Sequence, residues 1–169
     1  MVSAMPIYPK LKTVYKHPAH LLAFGFGSGL IRPAPGTWGT LSGVMVFALL
    51  IWLGATFNML MLSCVFLAIV GTYAADRSAK LLDTHDHPGI VVDEWLGVWI
   101  VLIFVPQHWL HWLIAFLLFR VFDIIKPPPI GWVDQKVHGG VGIMLDDVIA
   151  AIFALGGWFF IVSLGVLPQ

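Results

Sequence analysis

The sequence predicts an all-α fold, a multi-pass transmembrane helical bundle with a polar site on its cytoplasmic side. Of the 169 residues, 59% are hydrophobic and only 11% are charged, and the mean hydropathy of +0.91 lies far outside the range of soluble domains. Several apolar runs approach the roughly 20 residues that a helix needs to cross a bilayer. These runs are continuously apolar and lack the alternation of lipid-facing strands, which favours helices over a barrel.

Five apolar segments are the predicted spans. In chain order they cover residues 40–57, 59–75, 95–105, 109–125 and 148–167. The third segment is short, and it crosses the membrane only if its helix also includes Asp93, Glu94 and part of the following PQHW sequence. We expect one membrane-embedded domain over residues 1–169, in which residues 1–24 form an N-terminal cytoplasmic or interfacial segment.

The charged residues lie on alternate connections. All nine Lys and Arg and all nine Asp and Glu belong to the N-terminal region through residue 40 or to residues 76–94 and 120–147. If the segments cross in order, these three stretches share one face, and the positive-inside rule places that face in the cytoplasm. The N-terminus is then inside and the C-terminus outside. A net charge of zero provides no global field for nucleic acid, so no nucleic-acid partner is expected.

Two acidic pairs stand directly before apolar segments: Asp93 with Glu94, and Asp146 with Asp147. Capping explains one acid at a helix N-terminus, but two pairs on the same face indicate a shared site. Crowded carboxylates near a low-dielectric boundary repel one another unless a cation compensates. Mg²⁺ prefers oxygen ligands and commonly bridges to phosphate. The pairs therefore indicate a Mg²⁺ site.

Charged side chains of both signs lie at the ends of the second and fourth segments. They are Asp76, Arg77, Lys80, Arg120, Asp123 and Lys126. Ion pairs within one helix account for some of them, because residues three or four apart share a helix face. Acids and cations from several helix ends also suit a site that binds a metal ion and a phosphate together.

Two glycine-rich pieces, residues 25–43 and 138–142, let backbone N–H groups approach an anion. Thr37 and Thr40 add hydroxyl groups beside the first segment, so they are candidate phosphate contacts. The first piece is not a P-loop, because it lacks the GK[ST] ending. His85 and His87 have two interpretations. One is that they belong to a zinc site. The favoured one, because they are two residues apart in a turn, is that both are solvated loop histidines.

Four blocks of the sequence resemble the phosphatidylglycerophosphatase A family. They are RPAPGTWGT (32–40), DRSAK (76–80), DHPGIVVDEWLGVW (86–99) and FRVFDIIKPPPIGWVDQKVHGGVGIMLDDVIAA (119–151). The resemblance covers nearly the whole chain from about residue 25. It implies a Mg²⁺-dependent integral membrane phosphatase of the bacterial inner membrane, with its active site facing the cytoplasm. Such an enzyme removes the terminal phosphate of phosphatidylglycerophosphate to give phosphatidylglycerol.

Three groups of candidate residues follow from the patterns and the resemblance together. The predicted metal ligands are Asp93, Glu94, Asp146, Asp147 and Asp76. The predicted catalytic residues are Asp93, Glu94, Asp123 and Asp147. The predicted phosphate-binding residues are Lys126, Arg120, Arg77, Lys80, Thr37 and Thr40. The attacking group is either a metal-activated water or an aspartate that forms a phosphorylated intermediate.

Two non-enzymatic alternatives remain at this stage. A small ion transporter would carry ionisable residues at mid-span, whereas every Asp and Glu here is expected at or beyond a span end. A noncatalytic membrane assembly subunit would use its polar loops to bind a partner. It predicts normal lipid composition after Asp147→Ala in a protein that still folds.

Overall fold

The computed structural model describes residues 8–84 and 87–165, and these form α-helices without any β-strand. The predicted all-α fold is thereby confirmed. The helices are α1 (Leu11–Lys16), α2 (Pro18–Ala23), α3 (Pro35–Trp52), α4 (Phe57–Leu81), α5 (Val92–Ile103), α6 (Trp109–Ile125), α7 (Ile130–Lys136) and α8 (Gly139–Ser163). A 3₁₀ segment, Gly25–Leu30, connects α2 to α3.

Three helices, α3, α4 and α8, are long and apolar enough to cross a membrane. They correspond to the first, second and fifth predicted segments, with different ends. α3 begins at Pro35 rather than residue 40 and ends at Trp52. α5 includes the acidic pair but ends at Ile103, before the PQHW sequence. Its 12 residues therefore rise only about 18 Å, less than the hydrocarbon thickness.

α5 lies at the centre of the bundle, where it contacts α3, α4, α6 and α8. Nine of its 12 residues are buried. Because protein surrounds this helix, its length need not match the bilayer. The central position also brings the N-terminus of α5 against the ends of its neighbours, where the polar side chains lie.

α3 packs closely on α5 through glycines. A Cβ at Gly39 would overlap Val91, and one at Gly43 would come within 2.9 Å of Trp95 Cδ1. The Trp95 indole donates a hydrogen bond to Ser42 Oγ at 2.9 Å. The close backbone approach and this partly buried hydrogen bond thus hold the start of α3 beside the start of α5.

α8 begins at Gly139, two turns before the acidic pair Asp146 and Asp147, which are buried within the helix. The prediction that this pair stands at the helix entrance is therefore wrong. The second glycine-rich piece is the first turn of α8 rather than a loop. A Cβ at Gly140 would overlap Thr72 O, so glycine permits the close crossing of α4 and α8.

His87 is fully buried, so the interpretation of it as a solvated loop histidine is wrong. Its Nδ1 accepts a hydrogen bond from Gly89 N at 3.0 Å, and its ring lies 4.7 Å from the Tyr8 ring, centroid to centroid. His85 and Asp86, which complete the candidate zinc sequence, lie outside the described residues.

Candidate active site

A polar cavity of about 340 Å³ lies where the starts of α3 and α5, the end of α6 and the first turns of α8 meet. Its charged lining consists of five carboxylates and two cations: Asp93, Glu94, Asp123, Asp146, Asp147, Arg120 and Lys126. These residues come from three helices and an adjoining turn that are far apart in the sequence. The cavity thus holds an excess of carboxylates over cations, which favours a bound cation.

The carboxylates form two groups that share Asp147. In one group Asp147 meets Asp93 and Glu94, and in the other it meets Asp123 and Asp146. Within each group, one ligand oxygen per residue lies within 4.8 Å of the others. The two acidic pairs of the sequence therefore lie side by side, and Asp123 joins them.

Several carboxylate oxygens in these groups are buried without a hydrogen bond. Glu94 Oε2, Asp146 Oδ1 and Asp147 Oδ2 have no hydrogen-bond partner among residues 8–84 and 87–165. A buried polar atom left unpaired costs about 1–3 kcal/mol, and more if it is charged. A hard cation prefers oxygen ligands of this kind, and each of the two groups offers at least two such atoms, so the residues present fit Mg²⁺.

Arg120 connects three helices at the floor of the cavity. Its Nη1 atom lies 2.7 Å from Asp123 Oδ2 and 3.5 Å from Glu94 Oε1. The same atom donates to Thr40 Oγ1 at 3.3 Å. Arg120 Nε is buried and has no hydrogen-bond partner in the described part of the chain, so the guanidinium keeps donor capacity for an anion.

Lys126 ends α6 in the left-handed conformation, with φ of 46°. Its Nζ atom lies 2.6 Å from Asp146 Oδ2 and 2.7 Å from Asp134 Oδ1. Burial alone would lower the pKa of Lys126, but the hydrogen bonds and charges of Asp134 and Asp146 outweigh it and raise that pKa. Lys126 therefore carries its positive charge at physiological pH.

The first turn of α3 forms one wall of the cavity through Gly36 and Thr37. A Cβ at Gly36 would overlap Glu94 Oε1 and lie 2.9 Å from Arg120 Nη2. Only glycine lets this backbone approach the Arg120 and Glu94 pair so closely. Thr40, one turn further, is fully buried and donates to Gly36 O at 2.8 Å.

Four of the predicted site residues lie outside the lining of this cavity: Asp76, Arg77, Lys80 and Thr40. Asp76 pairs with Lys80, with Nζ 2.6 Å from Oδ2, and accepts a hydrogen bond from Gly140 N at 3.4 Å. Arg77 lines a separate, mainly apolar cavity of about 300 Å³ between α2 and α4. Through its hydrogen bond from Gly140, Asp76 connects the end of α4 to the start of α8, and it does not line the cavity of the carboxylate groups.

Two residues outside the predicted site set also contribute. Gly36 belongs to the first glycine-rich piece, and its place in the PAPGT block is the signal that indicates it. Asp134 reaches Lys126 from α7, across the turn made by the three prolines. Helix periodicity does not relate these two positions, so no local pattern could have indicated Asp134.

Comparison with known proteins finds a family match over most of the chain. The family model described as Phosphatidylglycerophosphatase A matches residues 21–162, a range that includes every residue of the cavity. The chain belongs to the phosphatidylglycerophosphatase A family. The resemblance seen in the four sequence blocks is thereby confirmed.

Individual relatives cover most of the chain. A Haemophilus influenzae protein named Phosphatidylglycerophosphatase A is 46% identical over 87% of this chain and 90% of its own length. An Escherichia coli protein of the same name is 42% identical over 93% of this chain and 94% of its own. A Bacteroides thetaiotaomicron protein that bears the name of a candidate phosphatidylinositol-3-phosphatase is 39% identical over 79% of this chain and 87% of its own. No solved structure matches the chain significantly.

Proposed function

We propose that this protein hydrolyses the terminal phosphate monoester of phosphatidylglycerophosphate to phosphatidylglycerol and inorganic phosphate, with Mg²⁺, in a bacterial inner membrane. The observation that carries the proposal is the cavity of five carboxylates and two cations at the ends of membrane helices. The names of the Haemophilus influenzae and Escherichia coli relatives support the substrate. The ion transporter and the assembly subunit lose support, because neither requires this set of groups at one end of the bundle.

The proposed metal ligands are the members of the two carboxylate groups, with Asp147 common to both. Bound there, Mg²⁺ would supply neutralisation of the phosphoryl oxygens and a lowered pKa for a water molecule. Asp76 is a less suitable ligand, since it is engaged with Lys80 and Gly140.

Arg120 and Lys126 supply the positive charge that a phosphate monoester needs. Phosphoryl transfer depends mostly on positioning and on neutralising charge at the phosphoryl oxygens. Arg120 is held by Asp123, Glu94 and Thr40, so its guanidinium is already oriented before substrate binds. Preorganised donors of this kind are worth more in a water-poor cavity than in water.

The carboxylates also provide the acid and base chemistry of hydrolysis. One of them accepts a proton from the attacking water, and the departing lipid alcohol takes up a proton as the P–O bond breaks. Asp123 and Asp147 are the candidates for proton transfer, because both line the cavity and belong to a common group. Direct attack by an aspartate oxygen is the alternative route.

The position of the cavity suits a lipid substrate. A phospholipid keeps its acyl chains in the hydrocarbon while its phosphate stays at the depth of the head groups. The cavity lies at the start of α3, a helix long and apolar enough to span the membrane. The predicted topology places this end of the bundle at the cytoplasmic face.

The test is phosphate release by purified protein in detergent micelles, with and without Mg²⁺. The substrates are phosphatidylglycerophosphate, phosphatidic acid and phosphatidylinositol-3-phosphate, and Asp147→Asn serves as the inactive control. We expect Mg²⁺-dependent release that is fastest from phosphatidylglycerophosphate. Folded protein that releases phosphate from none of the three lipids would contradict the enzymatic proposal, and a preference for the inositol lipid would reassign the substrate.

A further inference from the structure

An apolar groove runs along the outside of the bundle between α3 and α6. It has a volume of about 280 Å³. Its lining residues are Leu41, Val44, Trp109, Trp112, Leu113 and Phe116. Side chains of this kind bind hydrocarbon and offer almost nothing to a phosphate or to water.

The groove continues the polar cavity along both helices. On α3, Thr37 lines the cavity, and Leu41 and Val44 follow on the same helix face, four and seven residues later. On α6, Arg120 lines the cavity and Phe116 lies four residues before it, which again is the same face. Arg120 therefore stands at the junction, where the polar lining ends and the apolar lining begins.

The groove and a second cavity that continues it have together about the length of one bilayer leaflet. The groove itself lies beside Leu41 and Val44 of α3. A second cavity, of about 290 Å³, shares Trp109 and Trp112 with the groove and extends it to Ile51, about 15 Å from Leu41 along α3. The hydrocarbon of one leaflet is about 15 Å thick, half of the bilayer value.

The packing of the bundle explains why this groove stays open. α3 is held against α5 by its glycines, and α6 packs on α5 and α8. α3 and α6 make few contacts with each other, because both use α5 as their main support. The space between them opens toward the lipid, as the exposure of Leu41 and Leu113 shows.

We propose that this groove binds one acyl chain of the lipid whose phosphate occupies the polar cavity. The inference rests on the proposed function and adds the route and the anchor of the substrate: the lipid enters sideways from the bilayer between α3 and α6. Lipid tails are as apolar as the groove, so moving an acyl chain from the bilayer into the groove gains little hydrophobic free energy. The main effect of binding there is to position the lipid. A chain held in the groove sets the depth and direction of the phosphate, and misplacement by about 1 Å can cost about 100-fold in rate.

The first test fills the groove. Leu41→Trp and Val44→Trp each add bulk to its wall, and Met45→Trp is the matched control, since Met45 is 66% exposed on the same helix and does not line the groove. The measured quantity is the ratio of kcat/KM for long-chain phosphatidylglycerophosphate to kcat/KM for its deacylated, water-soluble head group. We expect the two groove variants to lower this ratio about tenfold and Met45→Trp to leave it unchanged. An unchanged ratio in folded, active groove variants would overturn the inference.

The second test uses the wild-type protein, so it does not depend on the folding of a variant. A phosphatidylglycerophosphate with a photoactivatable diazirine at the middle of one acyl chain is incorporated into micelles with the protein and irradiated. We expect crosslinks concentrated in peptides that contain residues 41–44 and 109–116. Labelling spread evenly over other lipid-facing positions, such as Leu62 and Ile69 of α4, would contradict a specific groove.

The two tests separate the groove from the reaction. Wild-type protein that hydrolyses neither the lipid nor the soluble head group counts against the proposed function, whatever the crosslinking pattern. Wild-type protein that hydrolyses the lipid while crosslinks avoid α3 and α6 leaves the function standing and removes the groove.

Discussion

Arg120 of α6 reaches the carboxylate of Glu94 on α5, with Nη1 3.5 Å from Oε1. Both side chains are nearly buried, at 12% and 11% exposure, so neither charge is well solvated. Arg120 also contacts Asp123 and Thr40, and it therefore joins α3, α5 and α6 at the polar cavity. The Arg120 side chain therefore both neutralises Glu94 and Asp123 and holds the three helices in position.

We expect Arg120→Ala to reduce both activity and stability. Removing one partner of a buried ion pair costs about 3–5 kcal/mol, because the remaining charge is left uncompensated. The loss of an oriented donor lowers kcat by about 100-fold or more. Thermal unfolding in detergent and kcat/KM measurements would show both effects.

Arg120→Lys is the matched variant for that experiment. Lysine keeps the charge but lacks the planar set of donors that contacts three partners. We expect it to recover more stability than activity. Equal and full recovery of both would show that charge alone, without orientation, is what the site requires.

Removal of the metal is expected to abolish activity, and the carboxylate variants should differ in their metal response. Asp147→Asn removes the residue common to both groups, so we expect no activity at any Mg²⁺ concentration. Asp76→Asn changes a residue outside the cavity, so we expect a smaller loss and an unchanged Mg²⁺ requirement. Activity titrated against Mg²⁺ after chelation would test this. A shifted Mg²⁺ requirement in Asp76→Asn would make Asp76 a ligand.

Gly36→Ala should lower activity with little effect on folding. The added methyl group would overlap Glu94 Oε1 and crowd Arg120, which displaces both groups from their positions. We expect a loss of about 10- to 100-fold in kcat/KM. Gly156→Ala is the control, because its Cβ meets no atom within 4 Å and alanine favours a helix interior by about 1 kcal/mol. Wild-type activity in Gly36→Ala would contradict the close approach of α3 to the site.

Acid should weaken the contact between α2 and α4 through His20. His20 is buried, and its Nδ1 lies 2.9 Å from Ser78 Oγ. Burial, together with His17 and His87, lowers the pKa of His20 below its ordinary value of 6.5. Neutral His20 therefore contributes stability above pH 6.5, and this is lost as pH falls through the folded-state pKa.

The measurement is the thermal unfolding temperature in detergent from about pH 7.5 to about pH 5, for wild type and His20→Gln. Glutamine cannot be protonated, so we expect a flatter pH dependence in the variant. The same slope in both proteins would mean that other groups cause the acid sensitivity.

The predicted topology can be tested with single cysteines. His138 and Asn58 are both exposed and lie at opposite ends of the bundle in the predicted order of crossings. The natural Cys64 is buried and is replaced by Ser to provide a clean background. We expect a membrane-impermeant thiol reagent applied to intact cells to label Asn58→Cys and not His138→Cys. Labelling of both from the same side would overturn the topology.

The helical class, the acidic pairs and the cations at helix ends could all be predicted from the sequence. Hydropathy and charge placement are local properties, and the positions of Asp93, Glu94, Arg120 and Asp123 near helix ends follow directly from them. The position of the second acidic pair could not be predicted in this way. Asp146 and Asp147 interrupt a helix that had already begun at Gly139, and hydropathy marks the edge of an apolar run rather than the first turn of a helix.

Which charged residues share one cavity was decided by the tertiary structure. Asp76 and Asp147 look alike in the sequence, yet one accepts a hydrogen bond from Gly140 N and the other joins both carboxylate groups. That difference arises from close helix crossings, of α3 on α5 at Gly39 and of α4 on α8 at Gly140. The sequence determined that apolar helices would form with acids beside the apolar runs. The packing of glycine surfaces distant in the chain determined which acids meet, because contact between helices depends on both surfaces at once and no single segment specifies it.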